Sequence, residues 1–270
     1  MNFGSVTSGG SFLDQIHKKQ EDNLEKLASG KKVNKAADGA AAQQIIDRLT
    51  ADSSAYQQSI RNGYDGVSLA QTADGALEGI TQDTQRIREL ALQSGSGIYS
   101  ASDRDAIQSE ISQLQQNIQS TIENTEFAGQ SLFSGGGEFS FQMGSEAGQT
   151  QSIGTADFTQ KYAELGISDI DVTNTSGGGI AGAIEALDGL SEFVSAQRGD
   201  LGAAQNAFES AINNLATTNE NVQAARSRIQ DTDYAQVASE NAADSIRGQA
   251  ATAVASQARQ QESSVVSLLQ

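Results

Sequence analysis

Asp231 and Asp233 stand two residues apart, the spacing at which a metal ion or an acid/base pair could be served by two carboxylates. They also flank a restart of helical pattern at Tyr234, where a carboxylate caps free backbone N–H groups, and capping is the simpler reading. His17 is the sole histidine and sits beside Lys18 and Lys19, so it reads as a solvated or interfacial group and not as a ligand or base. No cysteine is present, which excludes disulfide scaffolds, zinc ribbons, iron-sulfur clusters and thiol nucleophiles. Arg198-Gly199-Asp200 spells an integrin-type tripeptide, but inside a heptad helix and not on a loop. Asn174-Thr175-Ser176 matches the N-glycosylation acceptor pattern, and three residues are too few to assign a modified side chain. Catalytic, cofactor and metal chemistry is therefore not expected. What remains is packing.

The 270 residues carry only 37% hydrophobic and 5% aromatic side chains with 27 glycines, which argues against a thick globular core. A net charge of −17 repels nucleic-acid phosphates and anionic lipid, so neither is an expected partner. Proline is absent, and its absence lets helices run long and unbroken. No run of about eighteen apolar residues occurs and the start lacks a basic stretch followed by an apolar one. Neither a transmembrane helix nor a cleaved secretion signal is expected.

The spacing predicts a helix from Ala40 to about Ile98, with a stripe through Tyr56, Ile60, Gly63, Val67, Ala70, Ala73, Leu77, Ile80, Thr84, Ile87 and Ala91. A second helix follows Ser102 as N-cap, with the stripe Ile107, Ile111, Leu114, Ile118 and Ile122. Between Phe127 and about Asp171 the period drops to two. Glu138 to Met143 alternates as a strand would, and its hairpin partner is expected near Ser131 to Phe133. Leu187, Val194, Leu201, Phe208, Leu215, Val222 and Ile229 then recur every seven residues, with Ile184, Ser191, Arg198, Gln205, Ile212, Asn219 and Arg226 as mixed companions. A strict seven-residue period implies supercoiling against other helices, for which the 40–98 and 103–123 helices are available. The fold class expected is mainly α: an elongated coiled-coil or helical-bundle rod with a small β-hairpin region. Both termini are amphipathic but thin in large apolar groups, so they are expected to be poorly ordered in a free monomer and helical once assembled.

Four stretches carry a family resemblance: LASGKKVNKAADGAAAQQI (27–45), RNGYDGVSLAQTADGALEGITQDTQRIRELALQS (61–94), TEFAGQSLF (125–133) and ARSRIQDTDYA (225–235). They resemble the terminal regions of bacterial flagellin, as does the closing VVSLL. The resemblance implies a secreted structural subunit that polymerises into the extracellular filament of the bacterial flagellum for motility and is exported unfolded by the flagellar type III system. It implies three parts: 1–39, an N-terminal inner segment and linker; 40–231, a spoke with a β-hairpin region at about 127–176; and 232–270, a C-terminal inner segment. The two termini would form an inner coiled coil. A minor adaptor at the hook-filament junction is the alternative.

The implied partners are other copies of the chain, flagellar cap and hook-junction proteins, a flagellin export chaperone and the flagellin-sensing Toll-like receptor. Arg86, Leu90 and Glu110 resemble receptor-contact positions, and Arg86 and Leu90 share a helix face. Val265, Val266, Leu268 and Leu269 would meet the chaperone and later pack in the filament lumen. Two departures stand out. The first 20 residues differ from the usual asparagine-rich start, and only about 40 residues separate the hairpin from the 180 helix, so large outer domains are missing. A thin filament is expected, surfaced by spoke helices and hairpin.

Overall fold

With no proline to break the backbone ladder, residues 40–94 run as one helix, α2 (Ala40–Ser94). The computed structural model describes the backbone of residues 4–173 and 179–268 and the side chains of residues 12–173, 179–261, 263 and 264. Before α2 come α1 (Gly4–Ser29) and a 3₁₀ turn (Ala36–Asp38); after it come α3 (Ala101–Asn124), β1 (Glu126–Phe127), β2 (Gln130–Ser131), β3 (Gly137–Gln142) and β4 (Thr150–Thr155). The chain continues through α4 (Phe158–Glu164), a 3₁₀ turn (Ile167–Asp169), α5 (Gly179–Gln230) and α6 (Tyr234–Leu268). The fold is mainly α, with two small antiparallel sheets. Residues 1–53 and 220–270 pack as one unit and residues 54–219 as another, so the divisions fall inside α2 and α5. The divisions expected at 39/40 and 231/232 lie at helix ends.

In the 54–219 unit, α2 buries two series that each step by seven: Gly63, Ala70, Leu77, Thr84, Ala91 and Gly66, Ala73, Ile80, Ile87, Ser94. Tyr56, Ile60 and Val67 of the expected stripe are only half-buried. On α5, Leu187, Val194, Leu201 and Phe208 are buried, whereas Leu215, Val222 and Ile229 are half-buried. The companion series is only partly covered, as its mixed residue types suggest, with Ile212 its one buried member, and a neighbouring series shares the seam. Ala183, Leu190 and Gln197 are buried, while Ile184, Ser191, Arg198 and Gln205 are half-buried. Heptad spacing permits a companion three or four residues on, and apolar Leu190 takes the seam in place of Ser191.

The Phe208 ring lies against the backbone of α2, where a Cβ on Gly66 would stand 2.7 Å from Phe208 Cε1. Phe141 of β3 meets the same ring edge-on, with centroids 5.5 Å apart. Gly66→Ala should therefore overpack the seam and cost about 1–3 kcal/mol, outweighing a helix-propensity gain of about 1 kcal/mol. Gly75, with nothing within 4 Å of an added Cβ, is the control. Gly75→Ala should stabilise by about 0.5–1 kcal/mol, and chemical denaturation of the two variants reads the opposite signs.

α3 starts two residues earlier than the sequence suggests. Its N-cap is Ser100, whose Oγ accepts from Asp103 N while Asp103 Oδ2 accepts from Ser100 N at 2.9 Å. The Ser100 hydroxyl, which also donates to Asp103 Oδ2 at 2.7 Å, and the Ser100 N–H hold the Asp103 carboxyl below its ordinary range. Ser102 lies inside the helix; with Asp105 three positions on it offers the same capping spacing, and the box that forms is Ser100 with Asp103. On the stripe, Gln115 is buried and Leu114 half-buried.

The hairpin differs from expectation as well. β3 pairs with β4, Phe139 opposite Ile153, and not with 131–133. Leu132 and Phe133 are consecutive and both buried, which a strand with alternating faces does not allow. The true partner, Thr150 to Thr155, contains a single large apolar residue, Ile153, and so carries almost no alternation. Ser131 instead closes a small hairpin, β1–β2, opposite Glu126.

Amide side chains on the helices dock this irregular region. Gln197 donates to Gly154 O at 3.0 Å and accepts from Ala156 N at 3.1 Å. Gln108 donates to Ile170 O and accepts from Val172 N, both at 2.9 Å, and Gln115 donates to Ile167 O at 2.6 Å. Each replaces the backbone partner that a loop over a helix lacks. Tyr162 donates its hydroxyl to Gln115 O at 3.1 Å, and burial pushes the phenol up to about 12 from 10.0. A folded pKa above the unfolded one gives stability that is complete below pH 10.0 and lost as pH rises through about 12. Denaturation midpoints across that window should fall in the unchanged chain and fall less in Tyr162→Phe.

Candidate functional site

The side chains with work to do here are those that hold helices together or stay uncovered. In the 54–219 unit, Ile80, Ile87, Ile111 and Ile118 join Leu187, Val194, Leu201 and Phe208 in one buried cluster, with Leu114 packed at its margin. Three arginines tie the helices from outside. Arg198 Nε reaches Asp74 Oδ1 at 2.7 Å, Arg88 Nε reaches Asp188 Oδ1 at 2.9 Å, and Arg86 Nη2 reaches Glu110 Oε1 at 2.8 Å. The hydrogen bond to Asp74 pushes the Arg198 guanidinium up. Arg198-Gly199-Asp200 is thus helical, with its arginine engaged.

Arg86 and Glu110 are exposed and paired, and Glu89 adds a second carboxylate 3.3 Å from Arg86. Leu90 differs from the exposed anchor that its place one turn from Arg86 suggested: it is 2% exposed. The side chain falls on the rim of the α2 seam beside Ala91, within the buried cluster. Ion pairing therefore marks the outer surface here, and apolar contact does not.

In the other unit, α1 and α6 pack against each other. Ile16, Asn23, Val237 and Asp244 are buried, and Ile16 Cγ2 would stand 3.4 Å from a Cβ on Gly248, a small residue that admits close approach. Phe12, Leu24, Ile246 and Val254 remain exposed on the same two helices, between 52% and 67%. A helix pair with apolar side chains on its outer faces is an unfinished core. His17 is exposed beside a groove shared with Gln20, Gly248 and Thr252. Asp233 Oδ1 accepts from Ala235 N at 2.9 Å and Gln236 N at 3.2 Å, so it caps α6, and Asp231 accepts from Ser227 Oγ. Both carboxylates are used within the chain.

The side chains of Val265, Val266 and Leu268, and Leu269 altogether, lie outside the described residues, as does Asn174-Thr175-Ser176. Among the described residues no helix is long and apolar enough to cross a membrane.

Sequence reasoning missed the docking glutamines Gln108, Gln115 and Gln197, which carry no periodic signal. It also missed α4, although Asp157, which caps it by accepting from Gln160 N at 2.9 Å, is followed three residues on by a glutamine, the signature of a helix start.

Known proteins resemble this chain in sequence and in fold. The family model described as the bacterial flagellin N-terminal helical region matches residues 9–137, and the C-terminal helical region matches residues 184–269. Flagellin B of Vibrio anguillarum is 31% identical across 98% of this chain and 97% of its own length. Flagellin A of the same organism is 30% identical across 98% of each. The first alignment extends over 368 positions against the 270 residues present, so that relative carries segments which this chain lacks. The crystal structure of Bacillus cereus flagellin superposes with a TM-score of 0.51 at 26% identity, covering 57% of this chain and 88% of that one. The structure of a putative flagellar hook-associated protein from Vibrio parahaemolyticus reaches a TM-score of 0.62 at 14% identity, covering 72% and 100%, a likeness of fold. Both family models and a match along nearly the whole length lead to one conclusion: this chain belongs to the bacterial flagellins, non-enzymatic structural subunits that polymerise into the extracellular filament of the bacterial flagellum.

Proposed function

We propose that polymerisation runs through α1 and α6 as an inner coiled coil, with residues 40–231 as the spoke. The carrying observation is the exposure of Phe12, Leu24, Ile246 and Val254 on helices already paired with each other. Burying such groups against further copies supplies the driving force, and a head-to-tail contact that does not close generates a helical fibre. Leu187, Val194, Leu201 and Phe208, with Ile80, Ile87, Ile111, Leu114 and Ile118, make the helix seam, while half-buried Leu215, Val222 and Ile229 finish their burial on assembly.

The chain passes unfolded through the flagellar type III apparatus, a route eased by the lack of cysteine and therefore of disulfides. A flagellin export chaperone holds Val265, Val266, Leu268 and Leu269, which pack in the lumen afterwards, and cap and hook-junction proteins meet the ends of the fibre. The flagellin-sensing Toll-like receptor engages Arg86 and Glu110, with buried Leu90 fixing the helix beneath them. Seeded elongation of purified protein followed by electron microscopy tests the assembly reading. Long fibres are expected, and rings or short caps would favour the junction adaptor.

A further inference from the structure

The turn of the β3–β4 hairpin is fastened to α2 by three successive residues. Gln142 O accepts from Asn62 Nδ2 at 3.0 Å, and Gly144 O accepts from the buried Ser59 Oγ at 3.1 Å. Between them Met143 closes the turn with its own N–H, which donates to Gln149 O at 2.7 Å. Its side chain goes to α2. The methyl carbon of Met143, Cε, would stand 2.8 Å from a Cβ on Gly63, and Ile212 Cγ1 of α5 would stand at the same distance. Gly63 therefore leaves a notch in the helix surface that these two side chains share. Ser59, Asn62 and Gly63 are three and four residues apart, so one face of α2 receives the whole turn.

The two hydrogen bonds end on backbone carbonyls, whereas the contact of Met143 is apolar and depends on its thioether staying so. Ile212 is buried in this contact while Met143 is only half-buried, so the sulfur is within reach of a small solute. The chain has two methionines and no cysteine. Apart from Met1, all of its sulfur is at Met143.

We propose that Met143 is an oxidation site whose modification by a peroxide unfastens the hairpin turn from α2. The thioether sulfur attacks one oxygen of hydrogen peroxide: an S–O bond forms, the O–O bond breaks, and the second oxygen leaves as water. Sulfur gives up two electrons and the peroxide takes them. The sulfoxide brings a strong dipole into a notch whose other walls are Gly63 and the aliphatic carbons of Ile212. Water reaches that dipole when the turn lifts, which breaks the bonds to Ser59 and Asn62. The buried series Leu187, Val194 and Leu201 holds no sulfur and keeps its packing, so the opening is local. The inference concerns the 54–219 unit alone and goes beyond the assembly reading.

Full-length protein is treated with hydrogen peroxide, its peptides are weighed by mass spectrometry, and hydrogen exchange is followed in residues 137–155. One added oxygen should appear at Met143. Exchange across the hairpin should quicken about tenfold, the low end of what a polar group set against apolar atoms costs. Exchange in residues 187–201 should not move. Methionine sulfoxide reductases for both sulfur epimers, supplied with a dithiol that becomes a disulfide as the oxygen departs in water, should restore protection. Met143→Leu and Met143→Ile should ignore peroxide, which removes Met1 as the cause. Met143→Gln, polar without any oxidant, should exchange fast from the start. The reductase arm needs no variant, so a misfolded one leaves the test standing.

The proposal is wrong if Met143 resists peroxide that fully oxidises N-acetylmethionine amide, if the oxidised chain keeps its hairpin protection, or if peroxide quickens exchange as much in Met143→Leu. Equal quickening in residues 137–155 and 187–201 would also overturn it, because that reports unfolding of the whole unit and not release of one turn.

Discussion

Phe208→Asp is expected to unfold the 54–219 unit at temperatures where the unchanged chain is intact. The ring is fully buried between the α2 backbone at Gly66 and the ring of Phe141. Removing a buried phenylalanine costs about 3–5 kcal/mol, and an unpartnered carboxylate adds to that, so the loss should reach about 5 kcal/mol or more. Such a loss is comparable to the whole stability of many domains, about 5–15 kcal/mol. Leu215→Asp, one heptad later on the same series, is the informative comparison because Leu215 is only half-buried. It should cost about 1–2 kcal/mol in the single chain, within the range of ordinary substitutions, and do its damage in the fibre. Thermal melts followed by circular dichroism separate the two. Equal and small losses would show that the heptad series does not form the seam.

Ile246→Asp/Val254→Asp should have the opposite profile: an unchanged melt and no fibres. Both side chains are about two-thirds exposed in the single chain, so replacing them leaves its packing alone. Burying an Ile or Val at an interface contributes about 1.5–3 kcal/mol. Losing two such contacts, with two carboxylates to desolvate, should raise the critical concentration for elongation at least about a hundredfold. A chain truncated after Val254 should likewise stay folded in residues 54–219 and fail to elongate. Normal fibres from either variant would remove α6 from the assembly surface, whatever the terminal helices do elsewhere.

Much of the fold was legible because periodic burial writes itself into residue type. The long helices α2, α3 and α5 follow from absent proline and from apolar residues at three-and-four spacing. The same logic failed wherever the partner of an element was not itself periodic. β4 is invisible because Ile153 stands alone, and the choice of Leu190 over Ser191 as companion is one that a heptad leaves open. Leu90 looked available because its neighbour Arg86 is a surface residue. Residues four apart on a helix share a side of it, but the edge of that side here turns into the seam.

By itself the sequence determined what kind of molecule this is. Its spacing makes long amphipathic helices, and its resemblance at both ends points to a flagellin. Only the tertiary structure decided which apolar groups are finished and which are left over. Burial depends on what lies opposite a side chain, and that is fixed by long-range contacts: Phe208 meets Gly66 and is sealed, while Ile246, also apolar, is left two-thirds exposed.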